Sequence, residues 1–332
     1  MKVVSQYFVN ELNAGPKAKV DVENILKEEY NAKIYTFKIR GNIDKKIELY
    51  SFRLKKIWFY LFHHRINDIV VYQLPLNKNQ KTGIIAKKSI GIIHDIEGLR
   101  RLDDELLKKE INLFNQMDVI ISHNKTMTIF LEEHGLEKPV VELELFDYLI
   151  TESETEEKKL NKTKKIVFVG NLAKSKFLNE LESKKMDFEM CLYGVGDYNK
   201  ENKKFEYKGA FPPDELPSKL TGDLGLVWDG VLSDENNDLL NYTKYNNPHK
   251  LSCYIAAGLP VIVWNKAACS KFVKDNNIGY VISNLYDIND LDLKDYNVKV
   301  KNVLQIRKKI IKGEYTEDAI NKALKIINDG RI

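Results

Sequence analysis

Residues 249–263 read HKLSCYIAAGLPVIV, an order of residue types that dictates a local structure. Pro248 suits the first turn of a helix, and Gly258 stands where such a helix would end in a left-handed residue. Pro260 then opens an apolar, β-branched run, the mark of a strand buried on both faces. A second buried run, LGLVW at 224–228, lies upstream. Strand, helix, strand makes a βαβ unit, whose crossover is right-handed and whose sheet is parallel.

The same alternation extends in both directions. Strands are expected at 3–9, 34–39, 68–74, 89–94, 118–123 and 140–145, with helices at 16–28, 45–62, 103–116 and 126–134. A polar stretch at 151–164, TESETEEKKLNKTK, breaks the pattern and reads as a linker. Strands follow at 165–169, 187–193, 204–208, 224–228, 260–264 and 279–282. Helices are expected at 174–183, 214–220, 249–257, 267–275, 298–312 and 316–328, the last opening on Thr316 as N-cap. The fold class is therefore α/β, with two Rossmann-like doubly wound domains, at 1–150 and 165–314, and a helix at 315–332 packing near their boundary. Ligands of such sheets bind at the carboxyl ends of the strands, here in an expected interdomain cleft.

Composition narrows the function. The 332 residues carry 52 Lys and Arg against 48 Asp and Glu, a net charge of +4 spread through mixed-sign segments, which argues against a nucleic-acid groove. Three cysteines, Cys191, Cys253 and Cys269, have no metal-ligand spacing and fit a reducing cytoplasm. No apolar run reaches the length of a membrane span and no signal peptide is evident.

The loops hold the chemistry. A helix beginning at residue 249 offers a partly positive end, and Lys250 in its first turn makes a diphosphate site with Asn247 and His249 beside it; a lysine facing water is the alternative. Gly170 and Asn171 in VGNLAK, with Lys174, suit a close approach to phosphate or a plain βα turn. Tyr193 ends a strand before Gly194, where it either stacks on a base or fills the core. Asp214 opens a helix as a base contact or as an N-terminal acid. Asn13 and Gly15 join the first strand to the first helix. His94 and Asp95 end a buried strand, where two polar residues face a cleft and are candidates for contact with a ligand. His63, His64, His123 and His134 lack that setting and read as surface or packing residues. The acid-rich 233–238, SDENND, lacks calcium-loop spacing and reads as a loop, so no metal is assigned.

The run KLSCYIAAGLPVIV, with DLGLVWD at 223–229 and NIGYVI at 277–282, resembles the bacterial glucosyltransferases that extend GlcNAc on serine-rich repeat adhesins. It is similar also to bacterial galactofuranosyltransferases of polysaccharide synthesis. The resemblance implies the GT-B fold with 1–150 as the acceptor domain and 165–314 as the nucleotide-sugar-binding domain, no cofactor, and a UDP-sugar co-substrate whose hexose passes to a glycan, glycoprotein or lipid-linked acceptor. It gives Lys250 the diphosphate, places Asn13, Gly15 and His94-Asp95 beside the donor, and puts the base near Tyr193, Gly194 and Asp214. It also implies a homo-oligomer, a tetramer in the resembling glucosyltransferases. Lys174 replaces an arginine of the pattern, a point charge in place of a fork. Cys253 stands where many retaining GT-B enzymes carry a glutamate, which leaves the stereochemical outcome open. A nucleotide-sugar 2-epimerase and a helper subunit without turnover are the competing readings.

Finally, RLKKIWFYLFHHR at 53–65 carries more apolar surface than one helix face needs. A subunit interface, a peripheral contact with the inner face of the membrane, or burial under loops would each account for it.

Overall fold

The computed structural model of the protein describes residues 1–8, 15–39, 68–76, 86, 88–150, 164–232 and 238–330. Asn13, the helix expected at 45–62, the aromatic stretch 53–65, nearly all of the linker and residues 233–237 lie outside them. Two compact units emerge, Met1–Leu143 with Gly313–Ile332, and Glu144–Lys312.

Among the described residues the first unit has six parallel strands: β1 (Lys2–Phe8), β2 (Lys33–Ile39), β3 (Val70–Leu74), β4 (Ser89–Ile93), β5 (Val119–Ser122) and β6 (Val140–Glu142), in the order β2-β1-β3-β4-β5-β6. Helices α1 (Lys17–Tyr30), α2 (Glu97–Arg101), α3 (Asp104–Phe114) and α4 (Lys125–Glu133) connect them. β3, β4 and β5 are buried along their whole lengths, as their unbroken apolar runs require.

The second unit carries β7 (Lys164–Val169), β8 (Phe188–Tyr193), β9 (Phe205–Gly209), β10 (Leu224–Val227), β11 (Val261–Trp264) and β12 (Gly279–Ile282), in the order β12-β11-β10-β7-β8-β9. Its helices are α5 (Phe177–Glu180), α6 (Leu216–Lys219), α7 (Asp238–Tyr242), α8 (His249–Ala256), α9 (Cys269–Asp275) and α10 (Tyr296–Ile310). The twelve strands coincide with those read from the sequence to within a few residues, all pairing in parallel.

Helix α8 ends as its glycine requires. Gly258 takes φ 75°, its N–H reaches Ile255 O at 2.9 Å, and Leu259 N–H reaches Tyr254 O at 2.9 Å. These two bonds satisfy the carbonyls that the helix end would otherwise orphan.

Two expectations are corrected. Residues 174–183 hold the end of one 3-10 turn (Leu172–Lys174), the short α5 and the start of another 3-10 turn (Ser183–Lys185), because the backbone leaves the helical region at Ser175, with φ −89° and ψ 66°. α2 and α7, which no clear periodicity announces, are additions to the expected helices. The final helix, α11 (Glu314–Asp329), starts beyond Gly313 at φ 87°, so Thr316 lies buried inside it and is not its N-cap.

α11 belongs to the first unit. It packs on α1, β5 and β6, burying Ala319, Ile320, Ala323 and Ile327, and Tyr30 Oη donates to Asn321 Oδ1 at 2.8 Å. Among the described residues, no helix is long and apolar enough to cross a membrane.

Candidate functional site

In each sheet the chain reverses direction of travel between two neighbouring strands, β1 and β3 in the first unit and β7 and β10 in the second. Loops leaving such a pair go to opposite faces and open a crevice at the carboxyl ends. In the second unit β7 and β10 pair only as far as Val167 and Gly225. Beyond that point Tyr254 of α8 enters between them. Its hydroxyl accepts from Val169 N at 2.9 Å and donates to Leu226 O at 3.0 Å. A side chain on Gly225 would meet the Tyr254 ring at 2.2 Å, so the glycine in LGLV is what lets α8 approach. Complete burial raises the Tyr254 pKa, keeping the hydroxyl neutral.

This docking delivers Lys250 to the crevice. Its Nζ lies 2.7 Å from Asp229 Oδ1 and 2.8 Å from Trp228 O, both just past β10, and 4.8 Å above the Phe168 ring. A Cβ at Gly170, just past β7, would stand 4.0 Å from the same nitrogen. With its side chain only 13% exposed, Lys250 does not face open water. Asp229 was passed over in the sequence, although it closes the quoted DLGLVWD run.

The loops after β7 and β8 are bound edge to edge. Gly170 N donates to Tyr193 O at 3.0 Å, Leu172 N to Val195 O at 2.8 Å, and Gly194 N to Gly209 O at 2.9 Å. Gly194 has φ 134°, and a Cβ there would lie 1.9 Å from Gly170 O, so no other residue fits. Asn171 Oδ1 accepts from Lys174 N at 3.1 Å, and Lys174 is exposed at the rim. Gly170, Asn171, Lys174, Gly194 and Lys250 thus share the carboxyl end of one sheet. Of the two readings of Tyr193 the structure shows the core one: it is 1% exposed, with its hydroxyl bonded to Lys219 O and Thr221, so it offers no open ring face to a base.

Asn247 and His249 are committed to scaffolding contacts. Asn247 Nδ2 donates to Glu144 O at 2.7 Å, and the His249 ring stacks on Tyr148 at 4.9 Å. Tyr148 Oη in turn donates to Pro213 O at 2.7 Å. The strip 144–148 therefore ties the start of α8 to the turn in which Asp214 lies exposed.

In the first unit, β1 and β3 pair only as far as Val4 and Tyr72. Polar side chains fill the opening beyond. Gln73 Nε2 donates to Ser5 Oγ at 2.6 Å and to Lys19 O at 3.0 Å, while Lys19 Nζ donates to the carbonyls of Gln6, Gln73 and Pro75 at 3.0, 3.2 and 3.0 Å. Burial pulls the Lys19 pKa down to about 8 against the opposing pull of Asp95, Glu23 and Glu97. His94, just past β4, has Nε2 2.8 Å from Gln73 Oε1 and its backbone N–H on Leu74 O at 2.9 Å. Asp95 pairs with Arg100 at 3.5 Å. Glu110 accepts from the N–H groups of Glu97 and Gly98 at 3.0 and 2.8 Å, pinning the loop that follows His94; burial pushes its pKa up to about 7. His123 is fully buried beneath, against Ile93 O at 3.0 Å. Gly15 sits exposed in the turn before α1. Gln73 and Lys19 escaped the sequence reading, although a glutamine inside an apolar strand was a signal.

Comparison with known proteins agrees with this architecture. The family described as glucosyltransferase 3-like matches residues 1–145 by its N-terminal domain and 166–323 by its C-terminal domain. The β-1,6-galactofuranosyltransferase WbbI of Escherichia coli (strain K12) is 28% identical, covering 96% of this chain and 98% of its own. Glucosyltransferase 3 of Streptococcus parasanguinis is 25% identical over 88% of this chain and 87% of its own. Among solved structures, Anabaena HepE in complex with UDP superposes with a TM-score of 0.64 at 13% identity, covering 98% of this chain and 100% of its own. WaaG, a glycosyltransferase of lipopolysaccharide biosynthesis, gives 0.58 at 11% identity, covering 97% and 99%. These similarities in structure establish the GT-B fold, and the relatives by sequence are transferases, which sets the epimerase reading aside. The chain belongs to the glucosyltransferase 3-like family and is a glycosyltransferase.

Proposed function

We propose that the protein transfers a hexose from a UDP-sugar to a glycan acceptor, either a GlcNAc-modified protein or a lipid-linked saccharide. The observation that supports it is the gathering of Lys250, Gly170 and the start of α8 where β7 and β10 part. Breaking the anomeric bond leaves extra negative charge on the departing diphosphate. Lys250, Lys174 and backbone N–H groups meet that charge without a metal, and His94 and Asp95 act on the sugar as positive charge develops there. The names of the two relatives favour glucose or galactofuranose as the transferred unit.

The protein works as a homo-oligomer in the cytoplasm, at the inner face of the membrane when its acceptor is lipid-linked. Three buried, unoxidised cysteines are consistent with a reducing compartment.

The test is direct. Saturating UDP should raise the melting temperature, and radiolabelled UDP-glucose or UDP-galactofuranose should label a GlcNAc-peptide or a lipid-linked saccharide with EDTA present. Absence of a UDP shift would overturn the donor assignment. Activity lost with EDTA and restored by magnesium or manganese would overturn metal independence.

A further inference from the structure

We propose that Gln73 is a positioning residue that fixes the tautomer of His94, so that the neutral ring carries its lone pair on Nδ1. The inference rests on the reading of His94 as a sugar-contacting residue only for its consequence in transfer; the tautomer itself follows from hydrogen bonding alone.

A side-chain amide has one end that only accepts and one that only donates. The Gln73 side chain is fully buried and reaches Lys19 O, Ser5 Oγ and His94 Nε2. Lys19 O is a carbonyl and can only accept, so the group 3.0 Å from it must be the Gln73 NH2. The second amide hydrogen goes to Ser5 Oγ at 2.6 Å. Reversing the amide would set two carbonyl oxygens against each other in a buried site, a loss with nothing to offset it.

The end facing His94 is therefore Oε1, an acceptor, and Nε2 must carry a hydrogen at 2.8 Å from it. This holds in both charge states of the ring. A hydroxyl that donates to the neutral ring, or a proton that the ring takes up, must go through Nδ1. β3 holds His94 twice, by its ring through Gln73 Oε1 and by its backbone N–H through Leu74 O. Lys19 strengthens the arrangement by fastening the carbonyls of Gln6, Gln73 and Pro75 around one ammonium.

The experiment begins with the unmodified protein. Two-bond 1H–15N correlation of its histidines, with the His94 signal assigned by its loss in His94→Ala, should show Nε2 protonated and Nδ1 bare above the ring's pKa. An Nδ1–H tautomer would overturn the proposal whatever the activity. Next, Gln73→Leu should give a mixed tautomer and lower kcat by about tenfold, the scale of one lost hydrogen bond, with KM for the donor and the UDP-induced shift in melting temperature unchanged. In a His94→Ala background the same substitution should cost no further kcat. An unaltered tautomer in Gln73→Leu, or an additive loss in the double variant, would refute the positioning role. Should Gln73→Leu fail to fold, Gln73→Glu conserves the volume, and its carboxylate should raise the pKa of His94; an unchanged titration would refute the role equally. Full activity of His94→Ala beside the expected tautomer would remove the sugar-contact reading alone.

Discussion

Lys250 is tied to Asp229 and the Trp228 carbonyl, contacts that hold its ammonium at the carboxyl ends of β7 and β10. Preorganisation of this kind is what makes a charge effective at a developing anion. Lys250→Ala should accordingly lower turnover by about 10²-fold while the melting temperature without ligand moves by only a few degrees; turnover within a few-fold of wild type would place the diphosphate elsewhere. The buried His123 serves stability, with burial pulling its pKa from 6.5 down to about 4. The folded state thus refuses a proton that the unfolded chain accepts. His123 contributes fully above pH 6.5, and its contribution is lost as pH falls from 6.5 towards 4, by about 3 kcal/mol over that window. Urea unfolding of wild type and His123→Gln should show a stability gap that is constant above pH 7 and closes or reverses by about that amount at pH 4. A gap that ignores pH would mean the imidazole is solvated. Of these residues Lys250 was legible, because a lysine in the first turn of a helix declares itself in one dimension. Asp229, Gln73 and Lys19 were not, since their roles depend on which strands lie side by side.

At the scale of elements, the reading from sequence succeeded wherever one residue type forces one conformation. Gly258 is such a case, with φ 75° closing α8 by two backbone bonds. Gly258→Ala places a Cβ in the left-handed region at a cost of about 1 kcal/mol. That should lower the melting temperature of the second unit by about 2–4 °C with the site chemistry retained, as read by calorimetry with and without UDP. No change would mean that the helix end relaxes freely. Reading failed for residues 174–183, where the backbone turns out of the helical region at Ser175 after a single capped turn, a break that periodicity does not register. It left Tyr193 open between core and crevice, since a strand-end aromatic points to one or the other according to a register that a single strand does not reveal.

At the scale of the molecule, the division into two sheets was visible in the alternating pattern, while the allegiance of α11 was not. Nothing local in 314–329 says that its apolar stripe returns to α1, β5 and β6. Removing residues 314–332 should cost the first unit roughly 3–6 kcal/mol, from Ile320 and Ile327 alone at about 1.5–3 kcal/mol each. Hydrogen exchange should accelerate in α1, β5 and β6 and stay slow in β7, β10 and β11. Uniform acceleration across both units would show that they do not unfold separately.

The return of α11 also sets an order of events on the ribosome. Residues 144–312 form the second unit as one uninterrupted stretch and can close their core as soon as they emerge. The first unit, though translated earlier, must wait for a partner separated by 291 positions between Tyr30 and Asn321. Until Gly313 settles against Ile25, α1 has no cover from α11, and the nascent chain carries that exposed surface through the synthesis of the entire second unit. The half that is made first is the half that is finished last, and it is there that a chaperone or a protease would find this protein during its manufacture.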